Sequence, residues 1–425
     1  MALSTQPYRG ARDFYPEGKR LQKWMFGKLR EVVESFGYQE YDAPILEPVD
    51  IYLAKTGEEI INDQLYSFED RGGRKVAIRP EMTPSVSRMV AARRQELAYP
   101  LRWYSIPNLW RYERPQRGRL REHWQLNVDI FGVADISADH EIILVADSIM
   151  KAFGAPKSSY DIRISSRQLV DFFFKQVLRL DYQQYHDATK LIDRWHKIER
   201  DDFETQLNEI FAGDDRKQLL DLLKIQNLDE LHEELEDHSS VAELKKLMSM
   251  LKASGVDNAA FDFSVIRGMD YYDDIIFEVF DTSPENNRSM FGGGRYNDLV
   301  SLFGVEPVPT VGFGMGDVTL QNFLELHKLQ PQLESEINAA VILIGGIYED
   351  AQKTLGELRS KGLNISVDST DRKLDAKIKN AAKSGVKYAV FIGEQELESG
   401  KFRVKNLDSG DEKELGLDEL VTEIS

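Results

Sequence analysis

The chain contains no cysteine. This excludes disulfides, zinc–thiolate sites and a thiol nucleophile, and it fits a reducing compartment such as the cytoplasm. Histidine is sparse as well. The 7 residues are scattered, without HExxH or another ligand spacing, so no histidine-based metal centre is expected. No apolar run is long enough to span a bilayer, and the opening Met1-Ala2-Leu3-Ser4-Thr5-Gln6 has neither the basic start nor the apolar core of a signal peptide. No membrane association is expected. Internal repeats and low-complexity tracts are also missing. Gly312, Gly314 and Gly316 superficially suggest a nucleotide loop, but their spacing is neither GxGxxG nor a Walker loop. Basic charge is in short supply: 54 Lys and Arg stand against 72 Asp and Glu, a net charge of −18. Such a field repels nucleic acid globally, so any polyanionic partner must be met by a local basic patch. A length of 425 residues suggests about two or three domains, and 42% apolar content is enough for a sizeable core.

One basic patch stands out. Arg111, Arg114, Arg117, Arg119 and Arg121 fall within eleven residues, and a strand-like stretch, His123 to Ile130, follows them. Side chains alternate along a strand. Trp124, Leu126, Val128 and Ile130 therefore share one face, and His123, Gln125, Asn127 and Asp129 share the other. A guanidinium-rich loop leading into a polar, acid-bearing face suits an anionic ligand beside a cationic one, because arginine forks match phosphate geometry. An exposed, salt-bridged hairpin is the plainer alternative.

Around this element the periodicity predicts an alternating α and β organisation. Leu21, Met25, Leu29, Val32 and Phe36 mark a helix from about Lys19 to Phe36, stopped by Gly37. A short strand leads to Pro44, and Val76-Ala77-Ile78 reads as a strand running into Arg79-Pro80-Glu81-Met82-Thr83. Helices are expected over Pro84–Arg94 and from Ser137 to Gly154. Asp161–Ile164 reads as a strand, with Ser166 capping the next helix. From about 170 to 258 strand signals vanish. Phe203, Leu207, Ile210 and Phe211 form one helical stripe, and Val241, Leu244, Leu247 and Leu251 another, with Ser240 and Glu243 as a capping box. Strands resume at Phe261–Ile266 and Ile275–Asp281. Gly292 to Tyr296 reads as a turn, and Val311–Gly316 as a Gly-rich element before a helix. Gln332–Glu336 reads as a linker. Strands at Ala340–Ile344, Ile365–Asp368, Tyr388–Ile392 and Phe402–Lys405 alternate with helices at Glu349–Lys361 and Leu374–Lys383. This argues for a separate small α/β domain with a parallel or mixed sheet.

Four elements carry possible chemistry. Arg79 to Thr83 offers a carboxylate and a hydroxyl at a strand end, although such clusters are often only turns. The arginine loop and its polar strand are the second. Val265-Ile266-Arg267-Gly268-Met269-Asp270-Tyr271-Tyr272 offers cationic, phenolic and aromatic pocket walls, or alternatively an amphipathic core edge. The glycines of 292–296 either let backbone approach a ligand or only make a turn.

In this order the four elements resemble histidyl-tRNA synthetase, a class II aminoacyl-tRNA synthetase family, over nearly the whole chain. Arg9-Gly10-Ala11-Arg12-Asp13-Phe14 looks like the family's opening stretch. The helix followed by Pro44 looks like motif 1, the dimer interface. Arg111-Tyr112-Glu113-Arg114-Pro115-Gln116 through Gln125 looks like motif 2. Ile266 to Tyr272 is similar to the histidine-specific signature, and Gly293-Gly294-Arg295-Tyr296 to its companion. The fold this implies is an α+β class II catalytic domain, an antiparallel sheet flanked by helices, over residues 1–325, with a helical insertion at about 170–258. A linker at 326–336 and a C-terminal α/β anticodon-binding domain at 337–425 would follow.

The resemblance also implies roles. L-histidine and ATP would react on a site whose catalytic residues are Arg111 and Arg267, both facing the α-phosphate. Histidine would be held by Glu81, Met82, Thr83, Gln125, Asp129, Tyr271, Tyr272 and Tyr296, besides the two arginines. Asp129 and Tyr272 would meet the imidazole; the family usually has Glu where Asp129 stands. ATP would meet Arg111, Glu113, Arg119, His123 and Thr319, with Mg2+ carried by ATP. Arg114 and Gln116 would face the acceptor end of tRNA(His), and the protein would be a homodimer. One departure is clear. Motif 3 ordinarily ends Gly-x-Glu-Arg-Leu, whereas this chain reads Gly316-Asp317-Val318-Thr319-Leu320. Threonine cannot replace a guanidinium. Arg119 or Arg121 is expected to supply the missing cation. A ligase is the expected activity. The alternative is an inactive paralogue that binds histidine and regulates histidine biosynthesis, favoured by Thr319 but not by the retained signature and tail domain.

Overall fold

The computed structural model describes residues 3–53, 64–116, 118–196, 198–211, 213–266, 271–286 and 288–425. The chain divides into two compact units, Met1–Phe14 with Gln22–Gln330, and Tyr15–Leu21 with Pro331–Ser425.

The first unit is built on a nine-stranded sheet. Its strands are β1 (Gln39–Glu40), β5 (Leu101–Ser105), β6 (Asn108–Trp110), β7 (Glu122–Phe131), β8 (Tyr160–Ser166), β9 (Ala259–Phe261), β10 (Ile275–Asp281), β11 (Ser289–Arg295) and β12 (Thr310–Gly316). A small separate sheet holds β2 (Leu46–Pro48), β3 (Tyr66–Glu69) and β4 (Lys75–Ile78) in the order β2-β4-β3. The large sheet runs β1-β5-β7-β12-β11-β10-β8-β9, with β6 alongside the start of β7. Pairing is antiparallel except for β1 with β5 and β8 with β9. It is therefore a mixed, mostly antiparallel sheet flanked by helices.

Local sequence explains most of these elements. In the helix Ser137–Ala152 the residues Ile142, Val145 and Ile149 are buried at helical spacing, and Gly154 ends it with φ +78. Ser166 caps the following helix by accepting the Leu169 N–H at 3.4 Å. In the helix Thr83–Ala92, Val86 and Val90 pack with Leu101, Phe131 and Val308. Between β8 and β9 every regular element among the described residues is helical.

Four expectations need correction. The helix Pro16–Ser35 buries Met25, Leu29 and Val33, not Val32 and Phe36, because side chains at i+4 stack on one face. The helix Ser239–Ala253 is capped by His238, whose ring accepts the Ser240 N–H at 3.3 Å. Ser240 thus lies inside the helix and makes no capping box with Glu243. Strand β9 stops at Phe261, because Asp262 turns the chain by accepting the Ser264 N–H at 2.9 Å and its hydroxyl at 2.6 Å. The glycines 292–294 lie within strand β11, not in a turn.

The second unit holds a five-stranded mixed sheet: β13 (Ala339–Leu343), β14 (Ile365–Asp368), β15 (Tyr388–Ile392), β16 (Lys401–Asn406) and β17 (Glu412–Gly416). Its order is β14-β13-β15-β16-β17, parallel across the first three strands and antiparallel across the last three. The helices Gln352–Ser360 and Leu417–Ile424 close its core through Leu355, Leu358 and Leu420, against Val341, Val390 and Phe402.

Candidate active site

Strands β7, β12 and β11 lie side by side, and their register creates an open floor. Asp129 is paired with Gly312, and Gly312 with Gly294; Asn127 is paired with Gly314, and Gly314 with Gly292. Cross-strand partners share a face, so four glycines leave bare backbone beside two polar side chains. Any side chain at Gly312 would place its Cβ 2.1 Å from Asp129 Oδ1. One at Gly314 would fall 2.9 Å from the Gln125 amide. Gly312 and Gly314 therefore make room for side chains of β7, while Gly292 and Gly294 lie against the backbone carbonyls of Phe277 and Ile275, at 2.2 and 2.6 Å from an added Cβ.

A pocket with about 390 Å³ of empty space, its open mouth included, stands over this floor. Its lining includes Glu81, Thr83, Arg111, Gln125, Asp129, Tyr271, Tyr272 and Tyr296 from the expected set. Gln125 and Asp129 do share one face of β7, with Asn127 between them. Asn127, Gly292, Gly312, Phe313 and Gly314 also line the pocket and were not among the expected site residues. The alternation along β7 had put Asn127 on the polar face. Nothing local in sequence marks Phe313.

Charge in the pocket is buried. Tyr296 donates its hydroxyl proton to Asp129 Oδ1, while Asp129 Oδ2 is buried with no hydrogen-bond partner among the described residues. Burial pushes the Asp129 carboxyl up to about 7, against the opposing effect of the Tyr296 hydrogen bond. Tyr271 donates to Glu81 Oε2 at 3.1 Å, and its ring meets Tyr296 edge-on at 5.7 Å. Both phenols are raised well above their ordinary range, first by burial and then by the neighbouring carboxylates. They remain neutral donors. Arg79, itself buried, fixes the 79–83 corner: Nε donates to Asn108 O at 3.0 Å, and Nη1 to Asp42 Oδ1 at 2.9 Å.

Arg111 reaches the pocket from a hairpin. Its Nε donates to Pro80 O at 2.8 Å, and its backbone N–H to Arg121 O at 2.8 Å. The tip closes through the bridge between Gln116 and Arg119. Arg114, Gln116 and Arg119 are exposed, and Arg119 stands 3.8 Å from Glu113 Oε2. Arg121 does not offer a spare cation. Its guanidinium lies 3.9 Å over the Tyr112 ring and donates to Glu113 O at 3.1 Å and Tyr8 Oη at 3.0 Å. It clamps the hairpin base, which corrects its expected part as a replacement for the motif 3 arginine.

The remaining expected residues lie elsewhere. His123 sits two positions before Gln125 on the same face of β7. Burial, with Arg111 and Arg12 nearby, pushes its imidazole down to about 3, so it is neutral. Thr319, in the first turn of the helix Asp317–Leu326, spends its hydroxyl on Met290 O at 2.9 Å and Gly316 O at 3.0 Å. Met82 is fully buried, its sulfur 4.0 Å from Arg79 Nη1, and it does not line the pocket. The structure places it in the support of the corner. Arg267, with Gly268, Met269 and Asp270, lies outside the described residues, as does Arg117.

Comparison with known proteins gives a consistent result. The histidyl-tRNA synthetase family profile matches residues 10–318, and an anticodon binding domain profile matches residues 338–425. The chain is 43% identical to a histidine–tRNA ligase of Leptospira biflexa over 96% of this chain and 94% of that one. It is 35% identical to a histidine–tRNA ligase of Thermoplasma volcanium over 99% of this chain and 98% of that one. Its fold is similar to the crystal structure of a Nostoc histidyl-tRNA synthetase, with TM-score 0.83 and 23% identity, covering 100% of this chain and 99% of that one.

Proposed function

The chain belongs to the histidyl-tRNA synthetase family, and from that premise we propose how its site works as a histidine–tRNA ligase. The reaction has two steps. A histidine carboxylate oxygen attacks the α-phosphorus of ATP, and pyrophosphate leaves with the electrons of the α–β bridging bond. The terminal ribose hydroxyl of tRNA(His) then attacks the acyl carbon, and AMP leaves. The regulatory paralogue is not favoured, since the relatives above are ligases and the tail domain is matched.

One observation carries the amino-acid half of this reading: a buried carboxylate, Asp129, with one oxygen held by Tyr296 and the other without a partner among the described residues. A buried acceptor of this kind is costly unless a donor fills it, and a neutral imidazole N–H is such a donor. Asp129 and Tyr272 hold the imidazole. Glu81, Thr83 and Gln125 take the substrate ammonium, and Tyr271 and Tyr296 form the walls. Arg111, anchored through Nε, presents its terminal nitrogens to the α-phosphate, where charge is concentrated during attack. By the family resemblance, Arg267 would share the charge of the same phosphate. His123, neutral, stacks on adenine; Glu113 and Arg119 attend the phosphates. Arg114 and Gln116, exposed on the hairpin, suit the acceptor end of tRNA.

Among the described residues no group of three or more His, Asp and Glu is arranged to hold a metal ion. Mg2+ would be carried by the ATP phosphates and would supply charge neutralisation there, beside Glu113 and Arg119. We assign residues 1–325 to catalysis with a helical insertion at about 170–258, 326–336 to a linker and 337–425 to anticodon binding. Among the described residues no helix is long and apolar enough to cross a membrane. Cysteine is absent, and a cytoplasmic place suits such a chain. A homodimer is supported by Ile45, Leu46 and Phe68, which are exposed on and beside the three-stranded sheet. The deciding measurement is ATP–pyrophosphate exchange. Purified protein should exchange label only with L-histidine present, and absence of exchange overturns the reading.

A further inference from the structure

Arg12 comes from the N-terminal segment, 305 residues from the carboxylate it pairs with. Its Nη2 lies 2.7 Å from Asp317 Oδ2, at the start of the helix that carries Thr319. The other oxygen of Asp317 accepts the Trp124 N–H at 3.0 Å. Asp317 is therefore shared, and it engages the Arg12 fork through a single oxygen. The Arg12 Nε is buried with no acceptor among the described residues. The guanidinium rests on aromatic rings, 4.9 Å from the Phe14 centroid and 5.9 Å from that of Trp124. Its side chain keeps 21% exposure, so it is not sealed in the core.

Its position matters as much as its spare donors. Trp124 lies between His123 and Gln125, and Gln125 is paired with Gly316, the residue before Asp317. Arg12 thus stands at the end of the sheet where β7 begins and β12 finishes. Thr319 lies in the same helical turn as Asp317, but it is uncharged and its hydroxyl is occupied by two carbonyls. Arg121 is committed to the hairpin base, and Arg119 stands beside Glu113. An ATP-consuming site at this end must still balance the charge of a triphosphate tail. A guanidinium on an aromatic bed, held by half a carboxylate and retaining unused donors, has the chemistry for that.

We propose that Arg12 is a nucleotide-binding residue whose guanidinium meets the β- and γ-phosphates of ATP, supplying from the N-terminal segment the charge that Thr319 does not. This rests on the ligase reading above. Asp317 then acts as the resting counter-ion, which holds Arg12 in place until the phosphates arrive.

The test uses the full chain and compares ATP with AMP, which lacks the two outer phosphates. In Arg12→Gln the KM for ATP in histidine-dependent exchange should rise about tenfold or more, the loss expected for a charge-assisted contact. AMP and L-histidine affinities, by calorimetry, should stay within about twofold. Arg12→Lys should fall between wild type and Arg12→Gln, and it carries the comparison if Arg12→Gln fails to fold. Asp317→Asn, which keeps an acceptor for Trp124, should leave the KM for ATP equal or lower. The proposal is overturned if ATP affinity is unmoved, if AMP is lost in step with ATP, or if Asp317→Asn weakens ATP as much as Arg12→Gln does. A wild-type protein without histidine-dependent exchange would count against the ligase reading instead. Calorimetry of ATP against AMP would then still decide on Arg12.

Discussion

Tyr296 and Asp129 are joined across the glycine floor, the phenol donating to a carboxylate that has no other partner on its second oxygen among the described residues. The pair sets a trade between stability and substrate affinity. Asp129 has a folded pKa raised to about 7, whereas an unfolded Asp lies near ~3.9. Between those values the native state binds the extra proton. Stability contributed by that proton is present at low pH and is lost as pH rises from about 4 through about 7. Asp139 and Asp274, raised to about 6 and about 7, act in the same direction. Asp129→Asn removes only its own share. Unliganded Asp129→Asn should therefore melt higher than wild type at pH 8, by a few degrees, with the gap shrinking at pH 5. Added L-histidine should raise the wild-type Tm more than that of the variant. Scanning calorimetry at both pH values checks the sign; equal histidine shifts would remove Asp129 from the recognition of imidazole.

Gly312 is the narrowest point of that arrangement. A Cβ there would lie 2.1 Å from Asp129 Oδ1 and 2.6 Å from Val128 O. The Asp129 carboxylate can turn aside, but the Val128 carbonyl is backbone in a central strand pairing, so relieving it must also strain the β7–β12 ladder. Gly312→Ala should cost about 1–3 kcal/mol of stability, as overpacking does, and weaken histidine binding further. A Cβ added at Gly346 would meet nothing within 4 Å, and Gly346→Ala serves as the control. Denaturant unfolding together with histidine calorimetry separates the two effects.

Arg121 tests the hairpin in a different way. Its guanidinium joins Tyr112, Glu113 O and Tyr8 at one point, and the backbone of Arg121 in turn holds Arg111. Lysine keeps the charge but loses the planar fork. Arg121→Lys should lower kcat by about tenfold or more through misplacement of Arg111, with a smaller loss of histidine affinity, since Arg111 also lines the pocket. Parallel loss of histidine affinity in calorimetry would mean that the pocket, rather than the hairpin, had collapsed.

Much of this architecture was legible because it is written in short-range patterns. The alternation from His123 to Ile130 placed Gln125 and Asp129 on one face, and the stripe Ile142, Val145, Ile149 located a helix. What escaped was set by partners far away. Three successive glycines carry no side-chain periodicity, so strand β11 read as a turn until β10 and β12 flanked it. Strand β17 and the helix Glu394–Ser399 are polar and largely exposed, and they offer little apolar pattern. Arg121 looked available because sequence cannot show that Tyr8 and Tyr112 enclose it. Arg12 looked unremarkable because its partner is Asp317.

Position 319 separates the parts of Arg12 and of the helix Asp317–Leu326 in one experiment. Restoring arginine at that position would, on family resemblance alone, strengthen ATP binding. The structure argues the reverse. The methyl group of Thr319 faces the hairpin tip, 3.6 Å from a Cβ placed on Gly118, and its hydroxyl bonds two carbonyls. A guanidinium added there would displace the tip and bring a second positive charge into the helical turn that Arg12 pairs with through Asp317. Thr319→Arg in the wild-type background should therefore raise the KM for ATP by about threefold to tenfold, the scale of one to a few weakened contacts. In the Arg12→Gln background the repulsion is gone and the outer phosphates lack a cation. The same substitution should then recover part of the lost affinity. The interaction free energy of this double-mutant cycle should thus be favourable and outside the range of independent sites. Additive losses would place Arg12 and position 319 in separate surroundings, with no shared ligand charge between them.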